Sequence, residues 1–210
     1  MSPSAHADTP VSGNQTGTWT AAQSPYLVVG TVYVPSGGTL TIEPGVTVRF
    51  ASGIAIAGMS GGTLSAEGTP SQPITFTSAA ASPAPGDWAF ITFNASATGR
   101  LRHCVIQYAG GAGNPAAVVL GSSGVVVYSC QFSSVANDAV QVQGGATPVL
   151  RGNWFRAPIG RFGVSNHHAG DAVQRRRELL GPSERAVSPN PQSNQPRCSG
   201  RRRCSLQPVA

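Results

Sequence analysis

From Tyr26 onward the apolar residues fall in short runs that alternate with small polar residues and are separated by Gly, Pro and Ser. Examples are YLVV (26–29), TVYV (31–34), TLTI (39–42), VTVRF (46–50), ITF (74–76), FITF (90–93), CVIQY (104–108), VVVY (125–128) and AVQV (139–142). Period-two alternation and β-branched residues predict strands, and the brevity of each run predicts a bend after every few residues. No helical periodicity is visible before the C-terminal tail. Residues 1–25 are small and polar, with Pro3, Pro10 and Gly13 interrupting any pattern, and read as a leader or linker.

Internal repetition decides how these strands are arranged. LRHCVI (101–106), VYSCQF (127–132) and LRGNWF (150–155) superimpose: an aliphatic residue leads, Cys or Asn follows three places later, and an apolar residue two places after that. The copies are 26 and 23 residues apart. A unit of this length with two or three short strands is one rung of a parallel β-solenoid. Coils of such a fold stack at about 4.8 Å, so equivalent positions form columns. The expectation is a buried column of Leu101, Val127 and Leu150, another of Ile106, Phe132 and Phe155, and a third of Cys104, Cys130 and Asn153 at or near a bend. Bends of this kind favour Gly and Asn because the backbone visits positive φ. Arg102, Tyr128 and Arg151, one place after the first column, should share an outward face.

Composition narrows the class further. The 210 residues include 26 Gly and only 10% charged residues, which argues against coiled coil, helix bundle and charge-driven disorder. No run approaches the roughly eighteen apolar residues of a membrane-spanning helix. The formal charge of +6 is not evenly spread: up to Asn166 six Arg face five acids, whereas from His167 onward eight Arg face three acids. The excess therefore belongs to the tail, and nothing in the strand-rich region points to nucleic acid. All 14 basic residues are Arg.

The residues YLVVGTVYVPSGGTLTIEPGVTVRF (26–50), GTPSQPITFTS (68–78), SPAPGDWAFITF (82–93) and VIQYAGG (105–111) resemble the bacterial right-handed parallel β-helix proteins of the pectin-lyase-like superfamily. The resemblance covers roughly residues 17–166. It implies an all-β, right-handed parallel β-helix of about six coils over residues 26–166, in an extracellular or cell-surface protein. Such proteins commonly carry a signal peptide and further domains, so it also implies a fragment whose parent domains are missing.

Residues 167–210 form a basic, low-complexity tail with two readings. One is a native disordered or irregular segment. The other is an out-of-frame product of GC-rich DNA. Read one base later, ELLG (178–181) permits N-C-W-G, and SLQPV (205–209) permits F-N-P-W, both close to the way the resembling family continues. In that case Cys198 and Cys204 carry no selected role.

The chemistry of a polysaccharide-cleaving enzyme needs acids clustered on adjacent coils. The coil region offers Glu43, Glu67, Asp87 and Asp138, none paired with another at coil spacing, and turn roles suffice for Glu43 and Glu67. His103 and Cys104 are neighbours on one strand and so point to opposite faces. Cys104 and Cys130 are expected as stacked free thiols rather than a disulfide, and neither has zinc-ligand spacing. Trp88 and Trp154 are expected as packing residues. No metal and no cofactor is implied. The resulting expectation is a non-catalytic surface scaffold, with Arg102, Tyr128 and Arg151 as a stripe suited to polysaccharide or a cell-surface glycan. The alternative is a truncated or degenerate lyase or hydrolase of the same superfamily.

Overall fold

A computed structural model of the chain describes residues 7–111 and 113–167. The tail from residue 168 onward, with its frame, its thiols and its charge, lies outside the described residues.

Eighteen strands follow one another: β1 (Thr9–Asn14), β2 (Gly17–Trp19), β3 (Tyr26–Val34), β4 (Thr39–Ile42), β5 (Thr47–Phe50), β6 (Ile56–Gly58), β7 (Thr63–Glu67), β8 (Ile74–Ser78), β9 (Ile91–Phe93), β10 (Thr98–Arg102), β11 (Cys104–Gln107), β12 (Ala116–Leu120), β13 (Gly124–Tyr128), β14 (Gln131–Val135), β15 (Asp138–Gln143), β16 (Val149–Arg151), β17 (Trp154–Ile159) and β18 (Val164–His167). Among the described residues the only helical element is a single 3-10 turn, Ala21–Gln23.

Each strand pairs in parallel with its counterpart one circuit away. One ladder runs β2-β4-β7-β10-β13-β16 and is called face 3 below. The other runs β17-β14-β11-β8-β5-β3-β6-β9-β12-β15-β18, with β1 on β3. This second ladder is two faces joined at a corner, because Tyr26–Val28 of β3 pairs with β5 (face 1) while Val32–Val34 pairs with β6 (face 2). The result is a parallel β-solenoid of six coils, with β17 and β18 beginning another.

The coils begin at Thr9, not at Tyr26 where the texture of the sequence changes. Thr9–Val11 lies against Tyr26–Val28 in β3, and β2 lies against β4. Asp8 and Arg49 form a two-pronged ion pair, 2.8 and 3.1 Å from Nη1 to the two carboxylate oxygens. Trp19 stacks on Tyr26 at 4.8 Å, and the Tyr26 hydroxyl accepts from the Thr20 amide at 2.8 Å. Among the described residues this coil has a neighbouring coil on one side, and β1 alternates half-buried and exposed residues and carries little apolar signal.

The interior consists of columns. Ile42, Ala66, Leu101, Val127 and Leu150 align along face 3. Tyr26, Val48, Phe76, Ile106, Phe132 and Phe155 align along face 1, with the Phe132 and Phe155 rings stacked at 5.4 Å. Both predicted apolar columns therefore exist, and each is only half-buried at its last described member, Leu150 or Phe155. Close packing demands matching gaps. A Cβ on Gly99 would lie 2.1 Å from the Leu64 carbonyl oxygen and 2.6 Å from the Phe93 ring, so glycine there makes room for Phe93.

The bend between faces 3 and 1 uses positive φ one residue earlier than expected: at His103 (46°), Ser129 (51°) and Gly152 (60°). Cys104, Cys130 and Asn153 follow these residues and serve as inward donors. Each reaches the carbonyl of the aliphatic column one coil back: Cys104 Sγ to Ala66 O at 3.3 Å, Cys130 Sγ to Leu101 O at 3.3 Å, and Asn153 Nδ2 to Val127 O at 3.0 Å. Asn153 Oδ1 also accepts from the Cys130 amide at 3.0 Å, so the side chain satisfies a backbone donor at the turn while adding a bond to the Val127 carbonyl.

Asn153→Ala leaves the Cys130 amide without this partner. It is expected to lower unfolding stability by about 1–3 kcal/mol, measured by urea denaturation. A loss within error of zero would refute the bridging role.

Candidate functional site

The outer surface of face 3 is where side chains of chemical interest converge. In register, Glu67 of β7, Arg102 of β10, Tyr128 of β13 and Arg151 of β16 form one outward column. The neighbouring outward column is Thr41, Ser65, Arg100, Val126 and Val149, and beyond it lie Thr39, Thr63, Thr98 and Gly124. Period-two pleating makes this arrangement: the residues between these columns are the buried ones.

The predicted stripe is thus brought together. The Arg102 guanidinium lies over the Tyr128 ring at 5.6 Å, and the His103 ring meets the same phenol edge-on at 6.2 Å. Tyr128 remains 38% exposed, with Arg102 and Arg151 also exposed. Toward the N-terminal side a concavity of about 330 Å³ is lined by Thr63, Ser65, Glu67, Thr98, Gly99, Arg100, Gly124 and Val126. Thr63 and Thr98 hydroxyls are 2.8 Å apart there, and Arg100 Nη1 is 3.8 Å from Glu67 Oε2. Reading the chain by repeats alone missed Thr63, Ser65, Thr98 and Arg100. Their signal was an offset of two residues (Ser65, Arg100) or four (Thr63, Thr98) from the Arg102 column, visible only once β7 is known to stack on β10.

Three other acids accept hydrogen bonds away from face 3, Asp87 within its own loop and Glu43 and Asp138 from residues of an adjacent coil. Glu43 accepts from the Ala21 amide at 2.9 Å. Asp87 accepts from Ser78 Oγ at 2.6 Å and from the Ala84 amide at 2.9 Å. Asp138, 1% exposed at the start of β15, accepts from the Phe162 amide at 3.2 Å and from the Ser165 hydroxyl. Asp87 and Asp138 therefore serve two separate loops, neither of them on face 3. Among the described residues no group of three or more His, Cys, Asp and Glu side chains is placed to hold a metal ion.

The two tryptophans differ. Trp88 is fully buried, stacks on Phe50 at 4.0 Å and donates Nε1 to Gln107 O at 2.7 Å. Trp154, expected to pack, is 64% exposed instead. It stands opposite Gln131 at an outward position of face 1, and the adjacent Phe155 takes the inward one.

Cys104 and Cys130 are both buried free thiols. Burial, with Cys130 alongside, pushes the Cys104 thiol well above its ordinary value. In the unfolded chain such a thiol ionises above about pH 8.5, while the folded chain keeps its proton. The unfolded state then binds fewer protons, so stability is fully present below that pH and falls as pH rises past it, by at most about 1.4 kcal/mol per pH unit. The expected measurement is a steeper loss of stability between about pH 8.5 and 9.5 for the parent chain than for Cys104→Ser. Parallel profiles would disprove it.

Residues 13–100, from within β1 into β10, match the family model described as a pectate-lyase-like beta helix domain. No curated protein and no solved structure matches the chain.

Proposed function

We propose that this pectate-lyase-like β-helix is a non-catalytic scaffold of an extracellular or cell-surface protein, and that face 3 contacts polysaccharide. One observation carries the reading: Arg102, Tyr128 and Arg151 stand exposed, in register, on consecutive strands of a rigid ladder. An aromatic ring offers a platform for the apolar face of a sugar, and guanidinium groups offer paired donors to carboxylates. Strands hold these groups at fixed spacing, so little conformational entropy is lost when a repeating polymer binds. The engagement of Glu43, Asp87 and Asp138 in structural hydrogen bonds away from face 3 supports a role without cleavage chemistry.

A second reading, a truncated or degenerate lyase or hydrolase, is favoured by the matched family itself. The two separate in one assay. Incubated with acidic polysaccharide and Ca²⁺, the chain is expected to retard the polymer in affinity electrophoresis while releasing neither unsaturated uronides nor new reducing ends. Release of either product at a rate above the blank supports the enzyme. Arg102→Ala, Tyr128→Ala and Arg151→Ala combined should abolish most of the retardation, and undiminished retardation would exclude face 3.

A further inference from the structure

The outward column on face 3 alternates in chemistry from strand to strand: carboxylate (Glu67), guanidinium (Arg102), phenol (Tyr128), guanidinium (Arg151). Parallel strands stand about 4.8 Å apart, so Arg102 and Arg151 are roughly 9.6 Å apart along the solenoid axis, with Tyr128 midway. One sugar of an extended polysaccharide spans about one strand spacing. A chain lying along the axis therefore meets the four positions one sugar at a time.

Resting on the glycan-binding reading, we infer that this column selects an acidic polysaccharide in which charged and uncharged sugars alternate. The carboxylates of two acidic sugars meet Arg102 and Arg151, and the uncharged sugar between them contacts the exposed part of Tyr128 left beside Arg102. The next uncharged sugar lies over Glu67, whose carboxylate accepts from sugar hydroxyls. A polymer charged at every sugar fits badly at two of the four positions. It sets one carboxylate against Glu67, a like-charge contact, and another at Tyr128, where the column offers a phenol and no guanidinium of its own. Arg102 over the Tyr128 ring at 5.6 Å fixes the first cation and the platform relative to each other before any ligand arrives. Arg100, 3.8 Å from Glu67, partly neutralises that carboxylate. Glu67 is thereby a specificity-determining residue: it disfavours the uniformly charged polymer without contributing to the attraction of the acidic sugars.

The test is calorimetric titration of the full chain at low salt with three probes of equal length. They are an oligosaccharide alternating glucuronate with N-acetylglucosamine, an oligogalacturonate, and a neutral cello-oligosaccharide. The alternating probe should bind about tenfold or more tighter than oligogalacturonate, and the neutral probe weakest. Glu67→Gln should strengthen oligogalacturonate binding and narrow the gap. Arg102→Gln and Arg151→Gln should each weaken the alternating probe by about tenfold, while leaving the arginines of the tail in place. Equal or tighter binding of oligogalacturonate overturns the alternation and leaves glycan binding standing. Unchanged affinity in both arginine variants, with circular dichroism confirming the fold, assigns the binding to other arginines and overturns the site. Absence of binding to either acidic probe overturns both this inference and the reading it rests on.

Discussion

Everything in this protein depends on parallel strands hydrogen-bonding to the strand one circuit away. The ladder fixes a single register over six coils, and register converts position along the chain into position in a column. A one-residue slip would turn every buried residue of a strand outward, so the hydrophobic pattern and the ladder enforce each other. Inside, this gives stacked aliphatic and aromatic columns. Outside, it gives rows of polar side chains at a common pitch.

The ladder leaves its corners unpaired, and the corners explain the residues that look chemically suggestive. Between faces 3 and 1 the chain turns at His103, Ser129 and Gly152 with positive φ, and the next residue turns inward to hydrogen-bond the backbone of the preceding coil. Asn153 does this with two hydrogen bonds; Cys104 and Cys130 do it with a thiol each. The cysteines thus belong to the architecture of the turn, and burial keeps the Cys104 thiol protonated. The same holds for Asp87, Asp138 and Glu43, which accept hydrogen bonds from backbone amides of their own loop or of an adjacent coil. Corners and loops absorb the reactive side chains, while face 3 carries its arginines and tyrosine toward solvent.

The fold was legible because repetition and alternation are properties of the chain itself. The copies at Leu101, Val127 and Leu150 predict the columns that the ladders contain, and the Arg102, Tyr128 and Arg151 stripe follows from the same offset. Three features were less legible. The first described coil, from Thr9, alternates half-buried and exposed residues and carries few apolar ones. Trp154 carries an aromatic ring at a position whose outward direction is set by its pairing with Gln131, which composition does not show. Thr63, Ser65, Thr98 and Arg100 become one surface only because β7 and β10 are stacked despite 35 residues between Thr63 and Thr98.

The sequence by itself determined that the chain forms short strands, that they recur as coils, and which side of each strand is apolar. These follow from local steric preference and from the cost of exposing apolar surface, both encoded residue by residue. The tertiary structure alone decided which coils lie against each other across loops of unequal length, and hence which outward residues are neighbours. That choice rests on hydrogen bonds between distant strands and on close packing within the coil, as where Gly99 yields space to Phe93. Neither exists until the chain has closed its circuit.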